Sequence, residues 1–124
     1  MTDFELFTAS YKTFHPSMGL PVQTSNGRPK YPLRYALQYR APLVYPERRL
    51  MKLSAGTGFR AQYQQMLDRH GLGNLQDLFS RIAEHSGESK LVLLCFEKDV
   101  RQCHRGDFAD WWARKTGELV KELS

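Results

Sequence analysis

Only two cysteines, Cys95 and Cys103, occur in the 124 residues, too few for a disulfide-stapled scaffold. The expectation is therefore a cytoplasmic protein with both thiols reduced. Long apolar runs are absent as well. The longest, Leu91-Val92-Leu93-Leu94-Cys95-Phe96, falls far short of the roughly 20 residues a membrane helix requires, so no membrane partner is expected. The opening Met1-Thr2-Asp3-Phe4-Glu5 lacks an apolar signal core, which argues against secretion. Neither Cys-x-x-Cys nor His-x-x-x-His occurs, and the reading is no metal and no cofactor. No repeat or low-complexity tract is visible, and proline is absent after Pro46. Acidic residues are scarce at one end: residues 1–62 hold nine Lys and Arg against three Asp and Glu, whereas residues 63–124 hold nine against ten. All of the excess positive charge thus lies in the first half, which points to an anionic partner.

What is present is ordinary globular composition, 41% hydrophobic and 25% charged, consistent with one domain spanning residues 1–124. Phe4–Ala9 is short, aromatic and β-prone, and reads as a first strand. Thr57–His70 carries Phe59, Tyr63, Met66 and Leu67 on one helical face, with Gly71 as its stop. Asn74 looks like the N-cap of a second helix bearing Leu75, Leu78, Phe79, Ile82 and Ala83 and ending at Gly87. Leu91–Phe96 suits a strand buried on both faces, with the first strand parallel and close to it. A last helix, capped by Asp107, presents Phe108, Trp111 and Trp112 and weakens at Gly117, with Val120 and Leu123 packing as a short tail. All six prolines fall between residues 15 and 56. There Val22–Ser25 reads as a short strand before an Asn26-Gly27 turn, and Pro32 as the start of a helix carrying Leu33, Ala36 and Leu37. The sum is an α/β fold: a Rossmann-like layered domain whose buried, mainly parallel sheet is flanked by helices. In such sheets ligands sit at the carboxyl ends of strands, beside helix N-termini.

The segment joining the buried strand to the last helix is the richest in chemistry. It runs Cys95-Phe96-Glu97-Lys98-Asp99-Val100-Arg101-Gln102-Cys103-His104-Arg105. Cys95 or Cys103 would be the nucleophile of an enzymatic form, Glu97 or His104 its acid/base, and Arg105 its anion clamp. Each has a plainer reading: a core cysteine, a turn-shaping carboxylate, a loop-fixing imidazole, a salt bridge from Arg105 to Glu97 or Asp99. Ser10 and Tyr11 close the first strand and would reach the same crevice, unless they only make a strand-ending turn. Cys95 and Arg101 have the spacing of a tyrosine-phosphatase phosphate loop. The residues between them include no glycine and two carboxylates that would repel phosphate, so the match is coincidental.

With these residues in view, the chain resembles the family catalogued as domain of unknown function 488. Its hallmark is a hydrophobic strand ending Leu-Cys-x-Glu, here Leu94-Cys95-Phe96-Glu97, and then Cys-His-Arg opening a helix, here Cys103-His104-Arg105. Phe7-Thr8-Ala9-Ser10-Tyr11 is similar to the family's first strand. Met18 to Val22 and Gly27 to Leu33 are similar to a compact subgroup, so the resemblance spans essentially the whole chain. It implies an α/β Rossmann-like domain and a site, without implying a reaction.

Three functions follow as alternatives. The first is a pocket for an anionic small molecule or nucleotide, using Ser10, Tyr11, Arg28 and Arg105, with or without catalysis. The second is nucleic-acid binding by the basic, tyrosine-rich segment 28–60, through Lys30, Arg34, Arg40, Arg48 and Arg49 interleaved with Tyr31, Tyr35, Tyr39 and Tyr45. The third is a non-catalytic protein-interaction module. An Arg105 lying exposed at a helix N-terminus would contribute little to stability.

Overall fold

The computed structural model describes residues 3–53, 58–96 and 104–123. Among them are five strands: β1 (Glu5–Ser10), β2 (Leu20–Gln23), β3 (Tyr39–Arg40), β4 (Lys90–Cys95) and β5 (Lys121–Glu122). Three helices accompany them: α1 (Phe59–His70) and α2 (Leu72–Ser86) between β3 and β4, and α3 (His104–Thr116) between β4 and β5. The sheet order is β3-β2-β4-β1-β5 and every pairing is parallel. The apolar run thus forms an interior strand, with β1 beside it in the register Leu6↔Leu91 to Ser10↔Cys95.

The alternation of side chains along β1 and β4 divides the core in two. Leu6, Leu91 and Leu93 join Val22 and the apolar stripes of the helices: Tyr63, Met66 and Leu67 of α1, Leu75, Phe79, Ile82 and Ala83 of α2, and Phe108, Trp111 and Trp112 of α3. Phe4, Phe79, Phe108 and Trp112 make tilted and edge-to-face contacts there, with ring centroids 5.6 to 6.2 Å apart. Ala9, Val92 and Leu94 face the other way, against Tyr11, Phe14 and Leu37. No helix covers that second face among the described residues. The first part of the proline-rich segment does so instead, through Phe14, Met18, Leu33, Tyr35 and Leu37 and a 3-10 turn at Pro16–Met18, whereas the turns at Pro42–Val44 and Arg48–Lys52 place Val44 and Leu50 in the helical-side core.

Several local expectations are corrected. Residues 31–38 are irregular, so the helix expected from Pro32 does not form. Leu33, Tyr35 and Leu37 instead spread apolar surface over the sheet. The strand expected at Val22–Ser25 runs Leu20–Gln23 and is parallel to both neighbours, so Asn26-Gly27 closes no hairpin. Helix α2 begins before Asn74, whose amide donates to the His70 carbonyl at 2.8 Å; Gly71 serves both helix ends instead. Helix α3 begins at His104, three residues before Asp107, which therefore lies in its first turn. The tail adds the edge strand β5, with Val120 buried beneath it.

Candidate functional site

The carboxyl ends of β1, β4 and β2 lie side by side. Tyr11 N–H donates to the Cys95 carbonyl at 3.1 Å, and Thr24 N–H to the Leu94 carbonyl at 3.2 Å, carrying both ladders past the formal strand ends. From β1 the chain leaves toward β2 over the second face. From β4 it leaves through α3 over the helical face. Adjacent strands whose connections part to opposite faces make a topological switch point, where a crevice opens.

On the helical side of the crevice stand His104 and Arg105, both buried at the start of α3. The His104 ring packs edge-on to Tyr63, with centroids 5.7 Å apart. Its Nε2 lies 2.8 Å from the Thr24 carbonyl, which can only accept, so Nε2 carries the hydrogen. Burial lowers the His104 pKa to about 4; the Thr24 hydrogen bond opposes that and neighbouring Arg105 adds to it. The imidazole is therefore neutral at pH 7, and one nitrogen is engaged in joining α3 to the end of β2.

Arg105 departs from the sequence expectation. Its side chain is fully buried, and its Nε and Nη2 grip the Glu122 carboxylate of β5, each at 2.9 Å. Thr8 Oγ1 donates to the same carboxylate at 2.6 Å, and Arg105 Nη1 donates to Cys95 Sγ at 3.4 Å. Among the described residues the carboxylate partner of Arg105 is Glu122, because α3 runs back over β1 and brings its first turn against the edge strand. The exposed, weakly stabilising arginine is thus corrected to a buried clamp joining α3, β4, β1 and β5. Cys95 is disulfide-bonded, which corrects the expectation of a free thiol there. Cysteine count no longer speaks for a reducing compartment, since two cysteines suffice for one bridge. Glu97 and Cys103 lie outside the described residues.

The opposite side carries hydroxyls and cations. The Tyr11 hydroxyl donates to Ser25 Oγ at 2.7 Å, and Ser25 passes the chain on to the Gly27 carbonyl at 2.6 Å. Asn26 Nδ2 donates to the Pro46 carbonyl at 2.9 Å, tying the loop after β2 to the segment that bears Tyr45. The Tyr45 hydroxyl is shielded from solvent and has no hydrogen-bond partner among the described residues. Burial raises the Tyr11 pKa to about 12; the Ser25 hydrogen bond and Arg28 pull it down, while Tyr45 and Tyr31 push it up. Burial also raises Tyr45, against the pull of Arg40. Arg28 and Tyr45 therefore act on Tyr11, and Arg40 on Tyr45, and no carboxylate is among the charges acting on either tyrosine. Arg28 spends one N–H on the Leu37 carbonyl at 3.0 Å. Phe96, 43% exposed, stands at the mouth with its ring edge-to-face on Tyr11, centroids 5.1 Å apart.

Ser10 is buried, and its hydroxyl closes a turn with Thr13, Ser10 Oγ accepting from Thr13 N–H at 3.1 Å and Thr13 Oγ1 from Ser10 N–H at 3.2 Å. In the basic segment, Lys30, Arg34, Arg40 and Arg48 are exposed and enter no ion pair among the described residues. Arg49 is paired with Glu47 at 3.3 Å. Tyr35 and Tyr39 are structural: Tyr35 donates to the Tyr11 carbonyl and Tyr39 bonds His85, each at 2.8 Å. Sequence reasoning missed Ser25, Phe96 and Glu122, and named Tyr45 only in the nucleic-acid alternative. Ser25 and Phe96 adjoin residues it did single out; Glu122 carries no local signal, since its partner lies 17 residues away.

A separate concavity of about 580 Å³ lies at the corner between α1 and α2, lined by Leu43, Arg69, His70, Asp77 and Arg81 among others. Its arginines are neutralised by Glu47 and Asp77, so the strand-end crevice is the stronger candidate. No group of three or more His, Cys, Asp or Glu able to hold a metal occurs among the described residues, and no described helix is long and apolar enough to cross a membrane.

Comparison with known proteins gives one match: the family described as "Domain of unknown function DUF488" matches residues 25–112, which include the strand-end crevice's Ser25, Tyr45 and Cys95 and the pair His104 and Arg105. The segments Phe7–Tyr11 and Met18–Val22 lie outside that match. No curated protein and no solved structure matches the chain.

Proposed function

The chain belongs to the DUF488 family, and we propose that it binds a phosphate-bearing small molecule in the crevice between β1 and β4. The observation that carries this reading is the Tyr45 hydroxyl, buried without a partner among the described residues, within electrostatic reach of Arg40 and of Tyr11, on which Arg28 also acts. A buried donor left unpaired costs about 1–3 kcal/mol, and a ligand oxygen would relieve that cost. Burial keeps Tyr11 and Tyr45 protonated, so both are neutral hydroxyls, and the charge facing a ligand is arginine alone. Residues 6–46 contain five Lys and Arg and no Asp or Glu, so the rim this segment builds repels no anion.

Roles follow from engagement. Arg28 grips the anion with its remaining N–H groups. Tyr45 donates, and Ser25 and Tyr11 fix the loop after β2. Arg105 and His104 are positioning residues, joining α3 to β5 and to Thr24. Catalysis by Cys95, Glu97, Cys103 or His104 is a proposal of lower rank, because Cys95 is disulfide-bonded and His104 Nε2 is committed to Thr24.

Thermal-shift assays with inorganic phosphate, ribose 5-phosphate and nucleoside monophosphates test the reading. A ligand-dependent rise in Tm that is reduced in Arg28→Ala and Tyr45→Phe supports it. No shift with any phosphate compound overturns it. A second reading rests on the exposed, unpaired Lys30, Arg34, Arg40 and Arg48: single-stranded nucleic acid along this segment. Many phosphate contacts would give a steep fall of affinity with salt, a single pocket a shallow one.

A further inference from the structure

Resting on the anion site just proposed, we infer that its ligand is a mononucleotide, with the base stacked on Phe96. Four large hydrophobic side chains are exposed among the described residues, Tyr31, Met51, Phe96 and Leu119, and two of them border Tyr11. Phe96 touches Tyr11 edge-to-face at 5.1 Å, and Tyr31 acts electrostatically on the Tyr11 hydroxyl. Phe96 directly follows the buried strand residue Cys95, so a rigid element sets the position of its ring. An aromatic ring at this position lacks the burial that explains the other aromatics of the sheet. A flat π-surface beside a cationic crevice suits a ligand with an aromatic ring at one end and a phosphate at the other. Lys12 Nζ lies 5.4 Å from the Tyr31 ring centroid, adding a cation on the same rim.

Among the described residues no carboxylate acts on Tyr11 or Tyr45, whereas Arg28 and Tyr45 suit a phosphate. The distance from Phe96 across Tyr11 to Ser25 is bridged by one tyrosine side chain, which matches a single nucleotide and not a strand of several.

Calorimetric titration of the full chain decides it, using AMP, UMP, ribose 5-phosphate and a uridine tetranucleotide at two salt concentrations. The expected result is at least tenfold tighter binding of AMP than of ribose 5-phosphate, with UMP between them, since stacking on one aromatic ring commonly contributes that much. Phe96→Ala should bring AMP to within about threefold of ribose 5-phosphate, and Phe96→Tyr should keep the preference. Tyr31→Ala, an exposed position, supplies a second variant should Phe96→Ala fail to fold; it should also narrow the preference. Equal binding of AMP and ribose 5-phosphate to the wild type would overturn the inference while the anion site stands. No binding of any of these compounds would remove the anion site itself. A tetranucleotide bound a hundredfold tighter than UMP, with a steep salt dependence, would overturn the mononucleotide in favour of a strand.

Discussion

Arg105 shows how burial changes the meaning of a residue. A guanidinium at the start of a helix reads as an anion clamp. Here it is fully buried against a Glu122 side chain that is 27% exposed, with Thr8 and Cys95 completing its surroundings. Breaking a fully buried pair typically costs about 3–5 kcal/mol. Glu122 can partly rehydrate, so Arg105→Ala should lower stability by about 2–3 kcal/mol in urea denaturation. Arg105→Lys should recover only part of this, because an ammonium cannot span both carboxylate oxygens. His104 gives a pH signature. Its folded pKa is about 4 against 6.5 for the free side chain, so its contribution is complete above pH 6.5 and is lost as pH falls toward 4. The loss amounts to roughly 3 kcal/mol. Denaturation series from pH 7.5 to 4.5 should therefore fall more steeply for the wild type than for His104→Asn, and parallel curves would refute the assignment.

At the scale of elements, the β1 crossover depends on Gly19. Its φ is 142°, and a Cβ there would lie 2.6 Å from the Lys90 carbonyl oxygen. Gly19→Ala should therefore cost at least about 2 kcal/mol and loosen β2 from β4, seen as faster amide exchange at Val22 and Leu93. The elements most legible in the sequence were those whose burial is uniform or periodic. Leu91 to Cys95 is buried on both faces and could only be an interior strand, and the stripes of α1, α2 and α3 carry their own period. The proline-rich segment was not legible, because its apolar residues are placed by tertiary contact, Leu37 against Ala9, Val92 and Leu94 and Val44 and Leu50 in the helical-side core, and not by any local period. The two-residue strands β3 and β5 escaped for a related reason: so short a strand is defined by its neighbour. The site was half legible. Arg105 meets Cys95 and the Tyr11 N–H bonds the Cys95 carbonyl, neighbours that the strand-then-helix order suggests, but Glu122 reaches Arg105 and Tyr45 reaches Tyr11 only through the tertiary fold.

For the molecule as a whole, the three α-helices lie on one face with Val44 and Leu50, residues 11–37 cover the other, and the proposed site lies at the strand ends where the two coverings part. One face supplies the apolar core and the Arg105–Glu122 clamp; the other supplies the cations and neutral hydroxyls. The central claim is that this second wall holds a phosphate group. Its most direct test is calorimetric titration of ribose 5-phosphate into the wild type and into Arg28→Ala, an exposed residue whose loss should leave folding intact. The account predicts saturable one-site binding to the wild type, weakened about tenfold in Arg28→Ala by the loss of a charge-assisted contact. Absence of saturable binding to the wild type, or equal binding by the two proteins, would contradict it.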